Sequence, residues 1–409
     1  MRSFKGNGRF IYSDMIRRLS DSRARYFIIF FPPSFAVLSA FIFNEFFIYY
    51  LQIIWACSWP SESCDTRVFM IADTHLLGVY RGHWFDKLRR EWQMYRSYQT
   101  ARQLLSPDAS FFLGDLLDEG QWADEEKLEL YMKRFEELFG SLDIARSESG
   151  QEMIIAVPGN HDVGFHYALH PIRMEWFSRL TQRDVVDVVF IKKRPFVLIT
   201  SMALHGDGCR LCEAAEAAVK ENAERMRCGQ NASCSNAKAG MWRDAARPVL
   251  LQHFPLFRKD ERECEEAEEE DPVRLEEYRP GWESLSFSST RLLLHSFHPI
   301  AAFNGHSHRS CTKIWRVPFV SSPFTEYTVN SFSWRNGPLP TFLLVCFSDS
   351  QQERNAEPVV SKCQLPSENT VFIIYVVSFL LAGAYLVLIK VAMILLSSYN
   401  SIDTSIKKR

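Results

Sequence analysis

Apolar residues gather in two long runs near the ends of the chain, and between them short apolar stretches alternate with mixed polar segments. The first run, Tyr26 to Cys57, exceeds the about 20 residues needed to cross a bilayer. Pro32-Pro33 interrupts its first third, and Asn44-Glu45 lies in its middle, where a charge costs about 3 kcal/mol on insertion scales. A cleaved signal peptide is the rival reading, but its apolar core would span only about 7 to 15 residues. Length therefore favours an uncleaved anchor over 26–57. The second run, Thr370 to Leu396, holds a single charge, Lys390, near its far end, where the aliphatic stem lets the ammonium reach the interface. A transmembrane helix is expected over 370–396.

The intervening pattern predicts an α/β fold. Arg67 to Ala72 is apolar and β-branched over the length of one buried strand, ending at Asp73. A helix from Phe85 to Leu105 leads to a strand at Ala109 to Leu113, and a helix from Asp124 to Phe139 leads to another at Met153 to Val157. Strands at Phe196 to Ser201, Val249 to Gln252 and Ile300 to Phe303 repeat the theme. Alternation of this kind layers helices on parallel sheets, with polar sites outside the carboxyl ends of the strands.

Charge adds a topology. Hydrophobic residues are 47% and charged residues 23% of 409, with a net charge of −2, which excludes a disordered chain and a nucleic-acid-coating protein. Residues 1–25 carry Arg2, Lys5, Arg9, Arg17, Arg18, Arg23 and Arg25 against Asp14 and Asp21, and the chain ends Lys407-Lys408-Arg409. The positive-inside rule then places tails 1–25 and 397–409 in the cytosol and the segment between the spans in the lumen. Asn231-Ala232-Ser233 is a glycosylation sequon, used only in that compartment. Ten cysteines lie between Cys57 and Cys363, with Cys209, Cys212, Cys228 and Cys234 clustered. An oxidising lumen favours disulfides of open connectivity; a cytosolic setting would favour zinc. Lys407 sits where a retrieval signal has one lysine, but Ile406 leaves that pattern incomplete, and the spans are the alternative source of retention.

The chemistry lies in five blocks, each after a predicted strand: Asp73-x-His75, Gly114-Asp115-x-x-Asp118, Gly159-Asn160-His161-Asp162, His253, and Gly305-His306-x-His308. One such tip is explained as a turn or cap; five in order are not. Carboxylate and amide oxygens mixed with imidazoles suit divalent Mn, Fe or Zn, and a carboxylate can bridge two ions. In this order the blocks resemble the calcineurin-like metallophosphoesterase superfamily over residues 66–320. The resemblance implies a four-layer α/β/β/α sandwich with a dinuclear metal centre. It implies Asp73, His75 and His308 on one metal, Asn160, His253 and His306 on the other, and Asp115 bridging. It further implies His161 as the general acid, with Asp162 orienting it.

Asp73-Thr74-His75-Leu76-Leu77-Gly78, the Gly159 to Phe165 block, Gly208-Cys209-x-x-Cys212 and Phe332 to Asn336, together with the spans, resemble a membrane-bound branch that remodels GPI anchors. That closer resemblance implies a lumenal domain over 66–350 and a manganese enzyme, with Fe or Zn as alternatives. Its activity would remove ethanolamine phosphate from the second mannose of GPI anchors, with GPI-anchored proteins as substrate and cargo receptors as export partners. The implied setting is endoplasmic reticulum exit sites, the intermediate compartment and the cis-Golgi. Two other classes stay open: a lumenal phosphatase of another protein, nucleotide or lipid phosphoester, and a receptor that binds GPI-anchored cargo without turnover. An intact leaving-group acid argues against the receptor.

Asp118-Glu119-Gly120 stands where calcineurin-type protein phosphatases carry Asp-Arg-Gly. Glu119 is expected either to select ammonium-bearing diesters or to face solvent. Asp118 is expected to orient a ligand or to cap a turn. His83, His170, His205, His295 and His298 are expected at the surface or in packing, His166 near enough to the site loop to contact substrate, and the acidic run 260–271 as a solvated loop.

Overall fold

The computed structural model describes residues 22–142, 152–230, 245–265, 276–318, 322–350 and 355–407, with a few single residues between them. The chain runs through α1 (Ser22–Ile42), a π-helical turn (Phe43–Phe47), α2 (Ile48–Ala56), β1 (Thr66–Ile71), α3 (Trp84–Leu105), β2 (Ala109–Leu113), α4 (Glu125–Phe139) and β3 (Met153–Val157). It continues through α5 (Asn160–Val163), α6 (Pro171–Thr181), β4 (Val186–Ile191), β5 (Arg194–Ile199), α7 (Arg210–Gln230), β6 (Val249–Gln252), α8 (Phe287–Phe297), β7 (Ala301–Asn304), β8 (Cys311–Trp315) and β9 (Phe324–Thr328). The last elements are β10 (Thr341–Phe347), β11 (Val359–Gln364) and α9 (Glu368–Lys407).

Two compact units result, one made of 22–48 and 367–407, the other of Tyr49–Pro366. In the larger unit one sheet has the order β11-β10-β1-β2-β3 and the other β4-β5-β6-β7-β9-β8. β1, β2 and β3 are mutually parallel, as are β5, β6, β7 and β9. Period-2 alternation divides their side chains. Val68 and Met70 of β1, Phe111 of β2, Ile155 of β3, Phe196 and Leu198 of β5, Leu251 of β6 and Phe303 of β7 form one buried layer between the sheets. Phe69, Ile71 and Phe112 point the other way, toward Met94 and Tyr98 of α3 and Phe135 and Phe139 of α4, while Val197, Leu250 and Ala302 meet Ala215 and Val219 of α7 and Leu293 of α8. The architecture is the expected α/β/β/α sandwich. Caps fix two helix starts: His83 accepts from the Phe85 N–H at α3, and Asp124 from the Lys127 N–H at α4.

Four disulfides are described: Cys57–Cys363, Cys64–Cys346, Cys209–Cys212 and Cys264–Cys311. Cys228 is also disulfide-bonded, and no described cysteine is free. The disulfide reading of the cluster therefore holds over zinc; Cys234, the sequon, residues 1–21 and 266–271 of the acidic run lie outside the described residues.

Two helical stretches, Ile29–Ala56 and Glu368–Leu395, are long and apolar enough to cross a membrane. Pro32 and Pro33 do not end α1. Asn44 and Glu45 fall in the π-turn, where Asn44 donates to the Val371 carbonyl at 3.1 Å and Tyr375 of α9 donates to the Glu45 carboxylate.

Candidate dinuclear metal centre

All five blocks converge at the carboxyl ends of β1, β2, β3, β6 and β7. Asp73, His75, Asp115 and His308 each bring a ligand atom within 4.8 Å of the others, and Asp115, His253 and His306 do the same. Asp115 belongs to both groups. Its Oδ2 lies 3.5 Å from His75 Nε2 and 3.4 Å from His253 Nε2. His308 Nε2 stands 3.1 Å from His75 Nε2 and 3.4 Å from Asp73 Oδ1, and Asn160 Oδ1 is 3.1 Å from His253 Nε2. Ligands bound at about 2.0–2.2 Å stand roughly 3.0–3.5 Å from one another around a single ion, so these separations fit two metal sites sharing one carboxylate.

Backbone geometry makes the convergence possible. Asp73, His75, Asp115, His306 and His308 all take left-handed φ values, from 44° to 73°. Glycines make room beside them: a Cβ on Gly159 would stand 2.2 Å from Asp115 Oδ1, and one on Gly305 2.7 Å from Asp73 Oδ2.

For three of the four candidate histidines the other nitrogen faces a fixed acceptor, which sets the tautomer. His253 Nδ1 donates to the Leu113 carbonyl at 2.8 Å, His306 Nε2 to the Trp282 carbonyl at 2.7 Å, and His75 Nδ1 lies 3.2 Å from Asp118 Oδ1. That frees Nε2 of His253 and His75 and Nδ1 of His306 as ligand atoms. Electrostatics tie the same groups together. Burial opposes ionisation of Asp115, but His253 and His75 outweigh it and hold its carboxyl well below the usual range. Burial likewise opposes charge on His253, yet Asp115 pushes it up to about 9. Burial and the neighbouring His253 push His306 down to about 3, leaving its ring neutral.

His161 belongs to neither of these two groups, but meets His75 and Asp118 in a third. Its ring packs edge-on to His75 with centroids 4.7 Å apart, its backbone N–H donates to Asp115 Oδ1 at 2.7 Å, and its Nδ1 donates to the Asp118 carbonyl at 3.0 Å. Nε2 is thereby left uncommitted by that contact. Asp162 does not orient it. The Asp162 carboxylate instead accepts from the N–H groups of Gly159, Leu116 and Leu117, bracing the turn that carries Asn160 and His161, and burial together with the Asp115 charge pushes it up to about 7. Orientation falls to Asp118, which serves both His75 and His161 and also faces the Arg335 guanidinium at 3.7 Å.

Glu119 takes neither expected role. It is 1% exposed, and its carboxylate accepts from the backbone N–H groups of Tyr80 and Arg81, packed against Gly78. Its partners lie in a loop 39 residues away in sequence, which local pattern does not reveal. His83 and His170 serve as helix caps, and His166 is held by the Met202 carbonyl and Asp207 and stacks on His205.

Such a donor set on this sandwich defines a metal-dependent phosphoester hydrolase. A model of the calcineurin-like phosphoesterase family matches residues 66–310, and the chain belongs to that family. It is 44% identical over 342 residues to the Metallophosphoesterase 1 homolog of Caenorhabditis elegans, covering 82% of this chain and 84% of the relative. It is also 36% identical over 355 residues to Metallophosphoesterase 1 of Danio rerio (83% and 87%) and 37% over 345 residues to the Drosophila melanogaster homolog (82% and 86%). The family fold implies a dinuclear metal site, and the residues converging here have the chemistry to hold it.

Proposed function

We propose that this chain is a phosphodiesterase that removes ethanolamine phosphate from the second mannose of GPI anchors, working in the lumen of the early secretory pathway. The observation that carries the reading is the hydrolytic unit's position in the chain, between two helices long enough to span a bilayer, which suits a lipid-linked substrate held at the membrane surface. Asp73, His75 and His308 would hold one ion, Asn160, His253 and His306 the other, and Asp115 both. The oxygen and imidazole donors suit Mn, with Fe and Zn as competitors. Two such ions, when bound, activate a water for in-line attack and neutralise the phosphoryl oxygens. His161, its Nδ1 proton committed to the Asp118 carbonyl, gives a proton from Nε2 to the departing sugar oxygen. No serine or cysteine nucleophile is required.

The basic tails would lie in the cytosol, GPI-anchored proteins would be the substrates, and cargo receptors for export from the endoplasmic reticulum the natural partners. The test is mass spectrometry of GPI glycans from cells lacking the chain, complemented by wild type or by His161→Ala. Loss is expected to leave ethanolamine phosphate on the second mannose, corrected by wild type alone. Identical glycans in all three lines would overturn the reading.

A further inference from the structure

Beside the metal-ligand groups lies an exposed aromatic surface that hydrolysis does not use. Phe165 meets His306 edge-on with centroids 6.4 Å apart, and Trp282 packs on Phe165 at 5.0 Å. Tyr167 stacks on Trp282 at 5.1 Å with the planes 30° apart. Nonetheless 71% of Tyr167 and 38% of Trp282 stay exposed. Adjacent large aromatics left in water mark an interaction site rather than a core. The cluster is tied to the centre, because the Trp282 carbonyl accepts from His306 Nε2 at 2.7 Å.

From the same histidine a cavity of about 290 Å³ extends past Glu276, Glu277, Arg279 and Glu283. That is near the lower end of ligand-site volumes, about 300–1,000 Å³. Arg279 reaches over the Trp282 ring, 5.2 Å from its centroid, and pairs with Glu283, while Glu277 pairs with Lys259 at 3.1 Å. The aromatic cluster and the charged cavity adjoin at His306 and Arg279, and the two together match the two-sided chemistry of a pyranose. One face of such a ring presents C–H groups that pack on an aromatic plane, and its edge carries hydroxyls that both donate and accept. The other common flat ligand, a nucleotide, would bring further phosphates toward an excess of carboxylates.

We infer that Tyr167 and Trp282 form a stacking platform for a sugar ring of the substrate, with Arg279 and Glu283 binding its hydroxyls. The platform determines specificity and takes no part in bond breaking; that the sugar is mannose rests on the GPI reading above. The test uses the full chain in detergent with two readouts. Saturation-transfer NMR with phosphate-free α-mannobiose is expected to show binding by wild type, weakened about tenfold or more in Tyr167→Ala and Trp282→Ala, as for removal of one stacking aromatic, and largely kept in Trp282→Phe. In steady-state assays, the ratio of kcat/KM for a mannosyl ethanolamine phosphodiester to that for bis(p-nitrophenyl) phosphate is expected to fall about tenfold in Tyr167→Ala, through KM. Absence of mannoside binding by wild type, stronger binding of a nucleoside, or an unchanged ratio in Tyr167→Ala would each overturn the platform. Wild type that binds mannobiose but leaves the ethanolamine phosphodiester intact would uphold the platform and defeat the GPI reading.

Discussion

Of the nine described non-glycine residues with positive φ, five are candidate metal ligands. A left-handed backbone costs about 1–3 kcal/mol at such residues, so it persists only where the surrounding fold holds it. Neighbouring glycines hint at tight turns in the sequence, but the strain itself is invisible there, since it arises from hydrogen bonds such as Asp73 N–H to the Gly114 carbonyl at 3.1 Å. The separation of roles at this scale is testable. Asp115→Asn is expected to lose metal and turnover together, whereas His161→Ala should keep its metal and lose about 10²- to 10⁴-fold in kcat toward a poor leaving group, and far less toward p-nitrophenolate. Metal analysis of the purified variants beside steady-state rates checks both. Glu119 behaves as a structural group. Glu119→Gln replaces one acceptor oxygen with a donor facing a backbone N–H, so it is expected to cost about 1–3 kcal/mol in thermal or denaturant unfolding and to leave substrate preference unchanged.

Among the elements, β2, β3 and β6 fall on the expected strands, and α3 and α4 begin within one residue of expectation, because apolar runs of strand length and capping side chains are local signals. The two long apolar helices differ. Pro32 and Pro33 stay inside α1, since long flanking turns hold the helix across two missing donors. Asn44 and Glu45 are costly as isolated groups in an apolar run, yet the π-turn at Phe43–Phe47 carries both to partners on α9. Tyr375→Phe is therefore expected to lower the unfolding temperature in detergent by leaving the Glu45 carboxylate unpaired. Adding Glu45→Leu should restore most of the loss, and a purely additive double variant would contradict the pairing.

At the scale of the whole molecule, Cys57–Cys363 and Cys64–Cys346 join the two ends of the hydrolytic unit across 306 and 282 residues. With either bridge intact, the other closes a ring of only roughly 26 residues, worth about 3.5 kcal/mol in the chain-entropy account, against about 5.7 kcal/mol for a loop of roughly 300. Removing both by serine substitution is thus expected to destabilise the unit by more than the sum of the two single losses, measured by denaturant midpoint of the oxidised proteins.

The sequence by itself determined the six parallel-sheet strands that carry or neighbour the site, the helices α3 and α4, the five polar tips, the oxidised cysteines and the two long apolar helices. Each is written in residues adjacent along the chain, where strand length, cap chemistry and span length act locally. Only the tertiary structure decided that Asp118 rather than Asp162 orients His161, that Glu119 is buried in its own loop, and that Glu45 meets Tyr375. Those pairings join residues 38 to 330 positions apart, or choose between two carboxylates that both lie close to His161 in the fold, Asp118 and Asp162. They are settled by which backbone N–H groups and carbonyls the packed sheets leave unpaired at their edges, and a hydrogen bond of that kind leaves no periodicity behind in the chain that forms it.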